Sequence, residues 1–188
     1  MTLISTDPPL AEPVTLAELK AHLRIDADDE NDLLEGLIRV ARAHLEAVTG
    51  VALISQGYRL ALDDWPSEGV IQLLRTPVQT IDAILLYDAD GVEQTLDLSG
   101  LVLDGNAHPA RLVTRERQRP GQPINGIEIE FTAGFGSGAE VPPELRRAVL
   151  IHAAYLYEFR GAVTPDMQPA AIPPGYDRLI APWLRRSL

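Results

Sequence analysis

Residues 127–161 read IEIEFTAGFGSGAEVPPELRRAVLIHAAYLYEFRG, and the hydrophobic period changes partway through them. Ile127, Ile129, Phe131 and Ala133 alternate with polar residues, the pattern of a strand with one buried face. Beyond Pro142 and Pro143, the residues Leu145, Val149, His152 or Ala153, Leu156 and Tyr157 mark one face of a helix that Gly161 closes. Between them lie Gly134, Gly136 and Gly138. A strand running through glycines into a helix is where nucleotide enzymes keep a phosphate loop. This one lacks the lysine and the Ser or Thr pair of a Walker loop, and it puts Glu140 where an anion would sit. Its glycines are each two apart, with no βαβ unit before them, so the dinucleotide spacing fails as well. The stretch is expected to be a connector from a β-rich region to a helical one.

Upstream of that junction the chain is strand-like back to Val51. Candidate strands are 52–62, 70–74, 78–87, 92–98, 110–116 and 127–133, and Asp90-Gly91 is a hairpin signal. No helical pattern separates them, so an antiparallel sheet, sandwich or small barrel is expected rather than a doubly wound parallel sheet. Before Val51 the period is helical. Thr15 and Glu18 form a capping box ahead of Leu16, Leu19 and Leu23. A second, longer helix carries Leu33, Leu34, Leu37, Ala41, Leu45 and Val48, opens on acids, continues with Arg39, Arg42 and His44, and ends at Gly50. The fold class is therefore α+β. Residues 1–50 form the N-terminal helical part of a core, 51–140 a β-rich insertion, 141–161 a core helix, and 162–188 a Pro-rich linker and C-terminal arm.

Composition removes several chemistries. The 188 residues include no cysteine, which excludes disulfides, thiolate zinc sites and a cysteine nucleophile. No apolar run approaches a membrane span and the N-terminus does not resemble a signal peptide, so cytoplasmic synthesis is expected. The formal net charge of -11 argues against a sequence-independent grip on DNA. That charge is uneven. Residues 1–50 hold ten acids and four bases, 51–140 thirteen and six, and 141–188 four and six. A solvated acidic surface with a mildly basic end accounts for this, and so does a molecule with two differently charged ends.

No active site can be assembled from spacing. The acidic run from Asp26 fails as a calcium loop, with Asn31 at its sixth position and Leu37 at its twelfth. His22, His44, His108 and His152 show no metal-ligand spacing. Asp63 and Asp64 beside Trp65, with Glu68 nearby, leave a small hydrolase or a carbohydrate-binding module as an alternative. Adjacent residues on an extended chain point to opposite faces, however, and make a poor acid and base pair. No metal or cofactor is expected. The tail is more suggestive: Tyr176, Leu179, Ile180, Trp183 and Leu184 present apolar groups beyond the prolines, with Arg185 and Arg186 after them. Such a segment either docks on a partner or folds back on its own domain.

The sequence resembles the head-to-tail connector, or adaptor, proteins of tailed phages and phage-like gene transfer agents. The residues that carry the resemblance are VTLAELKAHLRID, DDENDLLEGLIRVARAHLEAVTG, TPVQTIDAI with the following DADG, and the quoted stretch from Ile127 to Gly161. None is a catalytic signature. The resemblance implies a structural protein rather than an enzyme. It implies a helical core with a β-rich insertion, and a twelve-fold ring of neighbouring copies beneath a portal protein, joined to a stopper or tail-terminator component. DNA would pass through without specific binding, and no membrane is involved. The protein would be cytoplasmic during assembly and then part of the particle. Portal docking would fall to residues 163–188, with Tyr176, Leu179, Ile180, Trp183, Leu184, Arg185 and Arg186 as its contacts.

Overall fold

A computed structural model describes residues 1–115, 117–159 and 172–184. The chain divides into two compact units. One comprises Met1–Leu10 and Ser55–Phe135, and the other Ala11–Ile54 and Gly136–Leu188. The glycine stretch is thus where the chain leaves one unit for the other, as the change of period requires.

The first unit is built from strands, in two open sheets. The larger contains β1 (Thr2–Asp7), β2 (Gln56–Leu62), β4 (Val78–Tyr87), β5 (Glu93–Thr95) and β8 (Ile127–Ala133), in the order β1-β2-β8-β4-β5. The smaller contains β3 (Ile71–Leu73), β6 (Val102–Asp104) and β7 (Ala110–Val113), in the order β3-β7-β6. Every pairing is antiparallel, as expected. Strand β8 is central, and its alternation is realised directly: Ile127, Ile129, Phe131 and Ala133 are buried while Glu128, Glu130 and Thr132 are not. Phe131 pairs with Tyr58 across β2 and stacks on it at 5.6 Å between ring centroids. Burying one such side chain contributes on the order of 2 kcal/mol.

Several features depart from the sequence expectation, among them β6, which lies in no expected strand. β1 was not anticipated, because an edge strand exposed along nearly its whole length has no buried row to impose a period on its residues. β4 lies where expected but does not alternate over its first half, because its register against β8 shifts between Val78 and Thr80 and again between Ile81 and Ala83. The Asp90-Gly91 pair does lie in a hairpin loop, but that loop spans residues 88–92. Asp88 Oδ1 accepts hydrogen bonds from the Asp90 and Val92 amides, both at 2.9 Å, and Gly91 takes a φ of 80°.

Helices make the second unit: α1 (Leu16–Leu23), α2 (Asn31–Thr49), α3 (Pro143–Glu158) and the short α4 (Tyr176–Ile180). The Thr15–Glu18 capping box forms as the sequence predicts: the Thr15 amide donates to Glu18 Oε2 at 2.8 Å, and the Glu18 amide to Thr15 Oγ1 at 3.2 Å. Gly50 caps α2 with a φ of 77°. The buried stripe of α2 is Leu34, Ile38, Ala41, Leu45 and Thr49, rotated from the expected one, so that Leu33 and Val48 face solvent. From α3 come Leu145, Ala148, Val149, His152 and Ala153. Within this apolar core sits one charged network. Arg42 Nε donates to Glu12 at 2.7 Å and its Nη1 to Glu46 at 2.8 Å, and the other oxygen of Glu46 accepts the Leu53 amide at 2.8 Å.

Candidate docking surface

The residues that invited a catalytic reading are occupied in holding loops together. Asp63 Oδ1 accepts the Asn125 amide at 2.9 Å, which fixes Asn125 in a left-handed conformation of φ 51°. Asp64 Oδ1 accepts the Trp65 amide at 2.8 Å, and Trp65 Nε1 donates to the Gln118 carbonyl at 2.7 Å. The two carboxylates bind different backbone groups and do not face each other across a substrate site. Trp65 is half-buried, and Glu68 lies exposed. Neither the acid pair of a hydrolase nor an open aromatic platform for a sugar is assembled here.

The glycine corner gives a similar answer. Glu140 folds back on the start of its own 3-10 turn, where its Oε2 accepts from the Ser137 amide at 2.7 Å and the Ser137 hydroxyl at 2.9 Å. Those hydrogen bonds, the backbone one foremost, hold its carboxyl below the usual range. The donors an incoming phosphate needs are already taken by a resident anion. In the acidic run, Asp28 accepts from Lys20 Nζ at 2.6 Å and Asn31 Nδ2 at 3.2 Å, closing the turn between α1 and α2. Among the described residues no His, Asp and Glu cluster is arranged to hold a metal ion, and no described helix is long and apolar enough to cross a membrane.

The histidines fall in three settings. His22 is exposed, and His108 Nδ1 lies 2.7 Å from the Thr76 hydroxyl in the β unit. His44 and His152 come together across α2 and α3, with ring centroids 5.0 Å apart, and Tyr176 joins them from α4 at 6.1 and 5.3 Å. Sequence spacing cannot bring three helices to one point, and this cluster had no signal in it. A second unanticipated feature lies on the solvent face of the larger sheet. Arg59 donates to Glu130 at 3.0 Å through Nε and sits 3.5 Å from Glu128, which also accepts from the Tyr87 hydroxyl at 3.1 Å. Beside it an open cleft of about 690 Å³ is lined by Asp7, Tyr58, Arg59, Asp82 and Glu130 among others. This ladder ties β2, β8 and β4 in register, and it brings together no nucleophile and base.

The residues expected to form a docking arm separate into three groups. Tyr176 is fully buried and Ile180 nearly so, as part of the helical unit where α4 packs on α3. Leu179 and Trp183 are half-buried, and Leu184 is 39% exposed. Arg185 and Arg186, like most of the expected linker, lie outside the described residues. Burial pushes the Tyr176 phenol up to about 12. Of the two alternatives open for the tail, folding back describes Tyr176 and Ile180, whereas Leu184 is left exposed.

Comparison with known proteins bears on these surfaces. The model of the phage gp6-like head-tail connector protein family matches residues 13–95. A chain in the neck of an empty gene transfer agent (GTA) particle, computed with C6 symmetry, is 33% identical with a TM-score of 0.82. One in the virion of a native GTA particle is 34% identical at 0.82, and one in the neck of a native GTA particle, computed with C12 symmetry, is 36% identical at 0.78. Each likeness covers 100% of this chain and 98% of the other. No curated protein matches. The full-length likeness at a third identity, with the family match spanning α1, α2 and the first half of the β unit, means that the chain belongs to the phage head-tail connector family.

Proposed function

We propose that this head-tail connector is a structural, non-catalytic part of the neck of a phage-like particle. There, twelve copies form a ring between the portal protein and a stopper or tail-terminator component. The carrying observation is the end-to-end likeness to chains of a gene transfer agent neck, one of them computed with C12 symmetry. Many modest contacts repeated around a closed ring make a stable joint without any single tight site. The net charge of -11 suits a passage for DNA, since an acidic channel wall repels phosphates and lets the duplex slide. Assembly takes place in the cytoplasm. The segment from Leu179 to Leu188, with its half-buried Leu179 and Trp183, exposed Leu184 and following arginines, is the portal-docking element. Tyr176 and Ile180 anchor it to the helical unit.

Two measurements test this reading. Quantitative mass spectrometry of purified particles is expected to give about one copy of this chain per portal subunit, as matched closed rings require; a count equal to that of a many-copy tail tube refutes the ring. Deleting residues 184–188 removes Leu184, Arg185 and Arg186 but leaves Tyr176 and Ile180 in place. The thermal melt is expected to be unchanged and portal binding lost. Normal portal binding by that truncation would sink the arm assignment.

A further inference from the structure

Helix α2 is apolar on two adjacent sides; among the described residues its own unit buries one of them and covers the other only in part, where His44 meets His152 and Tyr176. Leu34, Ile38, Ala41 and Leu45 fill the core. Next to that stripe, at 100° per residue, the positions Leu33, Gly36, Leu37, Val40, Ala43, His44, Ala47 and Val48 occupy about 140° of circumference. Leu33, Val40 and Val48 are 40%, 54% and 43% exposed, and Ala43 and Ala47 are exposed beside them. From Val40 to Thr49 no exposed position carries a charge, because Arg42 and Glu46 are turned inward on each other and on Glu12. The exposed charges of the helix, Asp32, Glu35 and Arg39, keep to the remaining arc. A helix facing solvent carries polar residues opposite its core stripe, and one apolar over most of its circumference is covered on both sides. The small residues Gly36, Ala43 and Ala47 also let another backbone approach closely.

We infer that this second face of α2 is the contact surface for a neighbouring copy of the same chain in the ring; the inference rests on the connector reading above. Two observations select that occupant. A relative 36% identical over 98% of its length sits in a neck computed with C12 symmetry, and cyclic symmetry gives every copy a neighbour on each side. Identical chains of charge -11 repel one another, so their contacts belong on uncharged surface, and this face of α2 is such a surface. The contact is heterologous: α2 of one copy meets a different surface of the next.

The photoreactive amino acid p-benzoylphenylalanine, placed at position 40 or at position 47 and co-assembled with unmodified chain into particles, tests this. Irradiation is expected to yield a covalent species of two copies of this chain, with the linked peptides identified by mass spectrometry, and none from the same residue at position 35 on the charged arc. In parallel, Val40→Glu and Ala47→Glu, both at exposed positions, are expected to leave the melt of the free chain unchanged and to lose incorporation into particles. A link from position 40 or 47 to a different particle protein overturns the inference, and so does a link within one chain in the free monomer. Normal incorporation of both glutamate variants also overturns it. Particles that contain no copies of the unmodified chain overturn the connector reading itself, and the copy count distinguishes that failure from the others.

Discussion

Replacing Tyr176 by alanine tests whether the end of the chain belongs to the helical unit. The side chain is fully buried, with its ring 5.3 Å from His152 and 6.1 Å from His44. Truncating a buried aromatic costs about 3–5 kcal/mol when the whole domain must absorb the cavity. Here α4 can also detach, so the loss is capped by the free energy that docks it, and about 3 kcal/mol is expected. Urea denaturation measures the loss, and limited proteolysis reports the release of α4. Tyr176→Phe is the control. The hydroxyl is buried without a hydrogen-bond partner among the described residues, so its removal is expected to be neutral or to stabilise by up to about 1 kcal/mol. The two proteins also differ in alkali. The folded phenol is raised to about 12 from an ordinary value of 10. Its contribution is therefore complete below pH 10 and is lost as the pH climbs through 12, at roughly 1 kcal/mol per pH unit in between. Only the native chain carries this loss, so any advantage of Tyr176→Phe over it should widen across that window. An alanine variant with an unchanged denaturation midpoint and no new cleavage around α4 would refute the docked segment.

Other perturbations follow from the same contacts. Glu46→Ala strips the Leu53 amide and one side of Arg42 of their acceptor inside the helical unit, and should destabilise by about 3 kcal/mol in urea denaturation; a loss under about 1 kcal/mol would mean that water already reaches the network. Thr15→Ala removes the side-chain half of the α1 capping box and is expected to cost about 1 kcal/mol, visible as a lower melting temperature without loss of helix in the circular dichroism spectrum. The Glu18 carboxyl is held below 4.5, foremost by the Thr15 amide and also by Arg146. Its contribution is present above that pH and lost on acidification below it; alanine keeps the amide and loses only the Thr15 hydroxyl's hydrogen bond to Glu18 at 2.9 Å, so only that share of the penalty should fade in acid melts.

Much of the fold is legible in the residues themselves because it is set by local chemistry. The Thr15 and Glu18 box, Gly50 as a C-cap, Pro142 and Pro143 at the start of α3, and the alternation of Ile127 to Ala133 each act within a few residues, and each is found where the sequence predicts it. The glycine corner also needed only its own composition, since a loop that supplies Glu140 as its anion has no use for phosphate. Patterns that depend on a distant partner were not legible. β1 is a strand only because β2 offers it an edge, and the bulges of β4 come from its register with β8. The Arg59 ladder and the His44, His152 and Tyr176 cluster join residues far apart in the chain. Packing likewise decided that Tyr176 and Ile180 are core while Leu33, Val40 and Val48 are surface. A helical period identifies an apolar face, but only the arrangement of neighbouring helices determines which of two adjacent apolar stripes is inside and which is left for another molecule.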